Sequence, residues 1–177
     1  DILGPDRYAK LLGRCRLECT RGGIADLGNE FGVAQLLGIP NFITYDMGGT
    51  STDACLVRNY SHDMTTEGHV GMWPNRAPQI EIKTVGAGGG SIADVDSGGF
   101  LRVGPKSAGA EPGPACYDRG GKAPTITDAN IVLGRLDPNY FLGGRMKLKP
   151  ELAHTAVAAL AEELDLGIEE TALAILD

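Results

Sequence analysis

The chain has 177 residues, of which 42% are hydrophobic, a share large enough to form a folded core. Its formal charge of −7 argues against nucleic-acid binding, because phosphate backbones attract clustered Lys and Arg. No apolar run approaches the roughly 20 residues that a membrane-spanning helix needs, so we expect no membrane partner. The length fits one domain, and the 26 glycines predict many turns and close backbone approaches.

Apolar spacing predicts two helices in the first part of the chain, over residues 5–19 and 24–37. In the second helix, Gly28 and Gly32 lie one turn apart, and we expect them to permit close packing against a neighbour. Gly38 ends this helix. The residues expected to face inward are Leu27, Phe31 and Ala34.

Short runs rich in β-branched and aromatic residues predict strands over 41–45, 53–57, 80–85, 91–95 and 100–103. The first two strands form one hairpin and the last two form another. Residues 59–78 are expected to be a polar connection. Residues 104–124 are rich in Gly and Pro without a periodic pattern, and a loop of that length in a compact domain is usually functional.

Three helices are predicted in the last part of the chain. The first spans 128–135, with Thr127 as its cap and Asp128 in its first turn. The second begins at Pro150 and ends at Gly167, and the third begins near Glu169. The inward stripe of the second helix is Leu152, Ala156, Ala159, Leu160 and Leu164. Strands mixed with helices predict an α/β fold.

The cysteines and histidines form no recognisable metal or catalytic set. The four cysteines, at 15, 19, 55 and 116, show no CxxC spacing, which predicts small buried thiols in a reducing, cytoplasmic setting rather than a zinc site. Ser91 lies in a segment similar to a nucleophile elbow, but a hydrolase triad would need a suitable histidine. The three histidines are expected to be solvated: His62, His69 and His154.

The strongest chemical signal is the segment Asp46-Met-Gly-Gly-Thr-Ser-Thr-Asp53. Its glycines, Gly48 and Gly49, allow backbone N–H groups to turn toward an anion with no side chain in the way. The next three residues add hydroxyl groups: Thr50, Ser51 and Thr52. The two aspartates would repel phosphate unless a cation intervened, and Mg²⁺ is the natural one. An ordinary surface turn of the same residue types is the alternative interpretation.

The chain resembles the hydantoinase A/5-oxoprolinase family, which includes N-methylhydantoinase and acetone carboxylase-type subunits. The matching blocks come in the family's order, over residues 46–53, 84–93, 103–117 and 125–138. They make 40–150 the recognisable core of a single segment, 1–177, in which both ends look truncated. Residues 21–26 and Lys106 depart from the family's usual pattern.

The resemblance implies an incomplete α/β piece of an actin, sugar-kinase and Hsp70-like (RNase H-like) ATPase fold. In that fold two phosphate-binding hairpins face each other, and the hairpin of residues 46–53 would be the second of them. On this basis Asp46 would hold Mg²⁺, Asp53 would orient a metal or water, and the three hydroxyl residues would contact phosphate. The glycines expected beside the nucleotide are Gly88, Gly89 and Gly90.

The function implied is ATP-dependent opening of a cyclic amide, of the hydantoin or 5-oxoproline type, through a phosphorylated amide. The expected cofactors are ATP and Mg²⁺, and the expected partners are a small cyclic amide and a second large subunit of the hydantoinase B type. Two alternatives stay open: a carboxylase subunit of the acetone carboxylase type, or a non-catalytic assembly subunit. We expect no turnover from this segment alone.

Overall fold

The computed structural model describes residues 24–70 and 72–177, with side chains described over 30–68 and 72–177. The helix predicted over 5–19 lies outside these residues, as do Cys15 and Cys19. The described chain divides into two compact units, which we treat separately. The first contains the residues up to Asp46 together with 53–84, and the second contains 47–52 and 85–177.

The first unit begins with helix α1, Ile24–Leu37, whose predicted bounds are confirmed. Gly38 follows it with a φ of +69°, a left-handed conformation that ends the helix. Phe31 packs edge-on against the ring of Phe42, with centroids 5.5 Å apart. No described neighbour lies within 4 Å of where the Cβ of Gly32 would be, so the close packing expected there is not made among the described residues.

The strands of the first unit form a sheet around strand β2. Strand β1 (Phe42–Met47) pairs with β2 (Thr52–Arg58), which confirms the first predicted hairpin. On the other side of β2 lies the short β3 (Ser61–His62), and β8 (Ile82–Val85) also pairs with β2. The side chains of Cys55 and Val57 are buried here.

The polar connection predicted over 59–78 contains four short strands instead of irregular chain. Besides β3 they are β4 (Met64–Thr65), β5 (Gly68–Val70) and β6 (Trp73–Asn75). The strand predicted over 80–85 is divided at Glu81 into β7 (Gln79–Ile80) and β8. The division occurs because the chain changes partner there, since β7 pairs with β4 whereas β8 pairs with β2.

The second unit confirms the second predicted hairpin, formed by β9 (Ser91–Val95) and β10 (Leu101–Ser107). The strands are antiparallel, and their register shifts between Val103 and Ser107. This shift lets β10 continue past Gly104 and Pro105 into the segment that the sequence predicts to be a loop. A short 3₁₀ helix, Ala115–Tyr117, follows.

Helix α2, Ile126–Val132, begins two residues earlier than predicted, and its cap is Thr125 rather than Thr127. The Thr125 hydroxyl accepts a hydrogen bond from the Asp128 amide, and the Asp128 carboxylate accepts one from the Thr125 amide. This reciprocal capping box satisfies two donors that would otherwise lack partners at the helix start.

Two further helices complete the second unit, α3 (Pro150–Leu164) and α4 (Ile168–Leu176). Helix α3 ends before Asp165, which takes a left-handed conformation, so Gly167 is the cap of α4 and not the end of α3. Ala159 is exposed, so its place in the predicted inward stripe is wrong. The main core cluster comprises Ala93, Ala129, Val157, Leu160, Ala172 and Ile175.

The α/β class predicted from the sequence is confirmed, since helices pack beside paired strands in the described part of the chain. Within those same residues no helix is both long and apolar enough to span a bilayer.

Candidate functional site

The loop between β1 and β2, residues 48–51, contains the centre of the predicted phosphate-binding segment. The Gly48 amide donates to the Ser51 carbonyl oxygen at 2.8 Å and closes the turn. Gly49 and Thr50 are exposed, and Ser51 is half-buried. A Cβ on Gly49 would meet no atom within 4 Å, so an incoming group can approach the main chain there.

The 48–51 loop rests on a second glycine-rich stretch, residues 86–91, which we call the glycine segment. The Gly89 amide donates to the Gly48 carbonyl oxygen at 3.0 Å. The Gly90 amide donates to the Gly49 carbonyl oxygen at 2.6 Å. Two parallel backbone hydrogen bonds therefore join segments that lie about 40 residues apart in the sequence.

The contact between these two segments leaves no room for a side chain at Gly88. A Cβ built there would lie 2.7 to 2.8 Å from backbone atoms of the 48–51 loop, namely Gly48 O, Gly49 C and Thr50 C. Backbone atoms cannot move aside as the end of a flexible side chain can. Only glycine fits at this position without displacing the loop.

Hydroxyl groups add to the contact on both sides of the loop. Thr52 is buried, and its hydroxyl donates to the Ala87 carbonyl oxygen at 2.6 Å. The Ser107 hydroxyl donates to Thr50 Oγ1 at 3.3 Å and itself accepts from the Gly109 amide at 3.1 Å. The 48–51 loop is thus held by the glycine segment and by the end of β10.

The structure brings the predicted phosphate-binding loop and the glycine segment together, but it engages several of their donors within the protein. The amides of Gly89 and Gly90 donate to the loop, and the Gly88 amide donates to Ser91 Oγ at 2.9 Å. By contrast, the amides of Gly49, Thr50 and Ser51 donate to no acceptor within the described chain. Three successive N–H donors of the loop therefore have no acceptor among the described residues.

The two predicted metal ligands flank the loop in the sequence and belong to the first unit. Asp46 is exposed, and Asp53 accepts a hydrogen bond on Oδ1 from the Thr84 hydroxyl at 2.6 Å. Among the described residues, no group of three or more His, Cys, Asp or Glu could hold a metal ion. Two carboxylates suit a cation that completes its coordination with water and phosphate oxygens, as Mg²⁺ does.

The alternative nucleophile, Ser91, is fully buried, and its Oγ accepts the hydrogen bond from the Gly88 amide. Of the histidines, His154 is exposed as predicted, and the ring of His62 instead packs edge-on against Phe31 with centroids 5.9 Å apart. The side chain of His69 lies outside the described residues. Ser91 therefore shapes the glycine segment.

The structure also assigns a place to Asp128, for which the sequence suggests only helix-start capping. Its fully buried carboxylate accepts from the Thr125 amide and hydroxyl, and from the amides of Ala115 and Cys116. Burial raises the pKa of the Cys116 thiol, and the nearby Asp128 carboxylate is the second cause of this increase. The Asn130 side chain donates to the Ile126 carbonyl oxygen within α2. The Thr-x-x-Asp spacing from Thr125 to Asp128 is the sequence signal for this arrangement.

Comparison with known proteins identifies relatives over most of this chain. The profile of a family described as Hydantoinase/oxoprolinase matches residues 27–177. Caprolactamase subunit alpha of Pseudomonas jessenii is 45% identical over 145 residues, covering 81% of this chain and 21% of that protein.

Two solved structures are similar to the fold as well. The crystal structure of ATP-dependent caprolactamase from Pseudomonas jessenii superposes with a TM-score of 0.71 at 43% identity. A nucleotide-free structure of acetone carboxylase, from work on ATP-dependent acetone carboxylation, gives 0.72 at 31% identity. Each match covers 83% of this chain and 21% of the other, so the chain spans about a fifth of the length of these relatives.

Proposed function

The chain belongs to the hydantoinase/oxoprolinase family, as its motifs indicate, and from that premise we propose that it contributes the phosphate-binding loop of an ATP-dependent hydrolase of cyclic amides. The observation that supports this most directly is the 48–51 loop, with three successive amides that bind no acceptor in the described chain. Backbone N–H groups that point outward from a tight turn form a concave site suited to anions. The caprolactamase relative acts on a cyclic amide and uses ATP, as its name and title state.

In this proposal, the nucleotide phosphates bind to the tip of the 48–51 loop. The amides of Gly49, Thr50 and Ser51 donate to phosphate oxygens, and the hydroxyls of Thr50 and Ser51 add further donors. The glycine segment and the Thr52 hydroxyl hold the loop in shape, because their donors are already engaged within the protein. This assignment keeps Gly88, Gly89 and Gly90 beside the nucleotide, as the sequence predicts, and gives Thr52 a supporting role in place of the phosphate contact predicted for it.

We assign Mg²⁺ binding to Asp46 and Asp53, on the basis of their positions at either end of the loop in the sequence. Both offer the carboxylate oxygens that this cation prefers. The Thr84 hydroxyl holds one oxygen of Asp53, which leaves its second oxygen for a metal or for a metal-bound water. When bound, Mg²⁺ would offset the negative charge of the phosphates and of the group being transferred.

The reaction that fits these parts is ring opening driven by phosphoryl transfer. The amide oxygen attacks the terminal phosphorus of ATP, a new O–P bond forms, and ADP leaves. Water then adds to the activated carbon, and the C–N bond of the ring breaks as the ring nitrogen takes a proton, which leaves an acyl phosphate. A second water attacks its carbonyl carbon, the C–O bond to phosphate breaks, and the carboxylate and inorganic phosphate are released. Donors already aligned at the loop tip stabilise the transferred charge without reorganisation at the moment of reaction.

A second candidate is ATP-dependent carboxylation, favoured by the 31% identity and TM-score of 0.72 to acetone carboxylase. The same loop would then bind the nucleotide that activates a ketone or bicarbonate. In either case we propose that the chain works with a second large subunit of the hydantoinase B type, since the caprolactamase relative is itself named a subunit.

The experiment that tests this proposal is amide-dependent ADP release by the complete protein and by its Gly49→Ala variant. Gly49 has open space around it and no positive φ, so the variant should fold. Its methyl group would stand among the three free amides and should raise the KM for ATP about tenfold or more. Gly167→Ala, whose Cβ would make only a 4.0 Å contact, is the matched control.

Asp46→Ala tests the metal assignment in the same assay and should abolish most of the ADP release. Normal ADP release from both Gly49→Ala and Asp46→Ala would refute the proposed site. ADP release that requires a ketone and bicarbonate, with none on adding lactams or hydantoins, would select the carboxylase alternative.

A further inference from the structure

We propose that Thr127 is a positioning residue for the nucleotide, because it fixes the glycine segment on which the 48–51 loop rests. This inference depends on the proposed function, since it concerns how that same loop is held. Thr127 does not contact the loop itself, and the sequence suggests for it only the role of a helix cap, which Thr125 fulfils instead.

Thr127 makes two hydrogen bonds to one carbonyl group. Its amide and its hydroxyl both donate to the Gly89 carbonyl oxygen, each at 2.8 Å. The side chain is buried, with 9% of its surface exposed, so water competes little for these donors. A carbonyl oxygen has two lone pairs, and Thr127 supplies two donors to the oxygen of Gly89.

Gly89 is also the residue that supports the loop. Its amide donates to the Gly48 carbonyl oxygen at 3.0 Å. The loop therefore binds the amide of Gly89, and Thr127 binds its carbonyl oxygen. A Cβ on Gly89 would lie 2.9 Å from Thr127 Oγ1, which shows how closely the two residues approach. Since Gly88 is packed tightly against the loop backbone, a shift of the glycine segment moves the loop.

The backbone of Thr127 is itself well anchored. It follows the capping box of Thr125 and Asp128, and the Asp128 carboxylate is buried and fully bonded. The Thr127 amide position is therefore set by the start of α2. The hydroxyl is the group that a substitution can remove while leaving that anchor in place.

The test compares steady-state kinetics of the complete protein with Thr127→Val and Thr127→Ser. Valine keeps the shape and loses the hydroxyl, and we expect the KM for ATP to rise roughly 5- to 20-fold, the effect of one buried hydrogen bond. Serine keeps the donor and should restore the KM to within about twofold of the original value. The KM for the amide and the melting temperature should change little in either variant.

The matched control is Thr155→Val on α3, where an exposed threonine hydroxyl donates to the Glu151 carbonyl oxygen at 2.8 Å. This substitution removes the same kind of bond far along the chain from the loop, and it should leave the KM for ATP unchanged. If Thr127→Val does not fold, Thr127→Ala removes the same hydroxyl with less bulk and serves in its place.

Two results would overturn the inference. One is a KM for ATP that Thr127→Val leaves unchanged; the other is a KM that rises equally in Thr127→Val and Thr127→Ser. Failure of the underlying function is distinguishable, because Gly49→Ala would then also leave the KM for ATP unchanged. If Gly49→Ala raises that KM and Thr127→Val does not, the loop binds the nucleotide and only the role of Thr127 is wrong.

Discussion

At the scale of single residues, buried polar groups do more to organise this chain than the exposed ones. The Asp128 carboxylate joins the start of α2 to the 3₁₀ helix by accepting from backbone amides on both. Thr127, one position earlier, joins the same helix start to the glycine segment. Neighbouring residues at one helix terminus thus fix two other segments, the 3₁₀ helix and the glycine segment. Both contacts are made by buried polar groups whose hydrogen bonds are satisfied within the protein.

Asp128→Ala should lower the free energy of unfolding by about 3–5 kcal/mol, because it leaves several buried donors without an acceptor. Urea titration followed by circular dichroism measures this. Asp137→Ala is the control, since the exposed Asp137 carboxylate also accepts from a backbone amide, that of Asn139 at 2.8 Å. It should cost less than about 1 kcal/mol, and equal losses in the two variants would show that burial of Asp128 adds nothing.

The Cys116 thiol should be unreactive in the folded protein. Burial is the main cause that raises its pKa above the ordinary 9.0, and the thiolate is the reactive form. Because the folded pKa is the higher one, the folded state loses stability as the pH rises above 9.0. At pH 8, alkylation of Cys116 should be at least about tenfold slower in the native protein than in urea, as followed by peptide mass spectrometry. Equal rates would contradict the burial.

At the scale of elements, the 48–51 loop owes its shape to contacts made across the second unit. Within the loop, the backbone bond from Gly48 to Ser51 closes the turn. The remaining bonds come from the glycine segment and from β10. A hairpin loop with so few internal bonds needs such outside support to keep one conformation.

Gly88→Ala should disrupt this support, because its Cβ would lie 2.7 to 2.8 Å from loop backbone. We expect a loss of about 1–3 kcal/mol in unfolding free energy together with a raised KM for ATP. Gly86→Ala, in the same segment, meets its nearest atom at 3.5 Å and should stay within about 0.5 kcal/mol of the original protein. Urea titration and ADP release test both variants, and indistinguishable behaviour would mean that the loop does not rest on Gly88.

At the scale of the whole molecule, the described residues divide into two compact units. The loop tip belongs to the second unit, and the two carboxylates belong to the first. The chain also spans about a fifth of the length of its relatives, which contain much more protein than these two units.

The 177-residue chain by itself should therefore release no ADP on addition of a cyclic amide, whereas the complete protein should. The family resemblance implies two phosphate-binding hairpins, and the described residues include the one at residues 46–53. A coupled assay for ADP, run on equal molar amounts of both proteins, gives the comparison. Amide-dependent release from the chain alone, at the rate of the complete protein, would contradict this expectation.

Much of the fold follows from the sequence, because the signals for it are local. The spacing of apolar residues and the stop at Gly38 predicted the bounds of α1, and alternation between turn residues predicted both hairpins. The Thr-x-x-Asp spacing before α2 was also present, although Thr127 rather than Thr125 was predicted as the cap. The strand around Glu81 was predicted as continuous, since a change of strand partner leaves no mark in the local sequence.

The sequence by itself determined the α/β class, the family and the glycine-rich segment 46–53, since residue type and spacing suffice for each. Tertiary structure alone decided which donors remain available to a ligand. The amides of Gly89 and Gly90 are chemically equivalent to those of Gly49 and Thr50, and only the folded chain gives the first pair acceptors on the 48–51 loop. The physical reason is that a hydrogen bond between residues some 40 positions apart depends on where the fold places them, which no local pattern encodes.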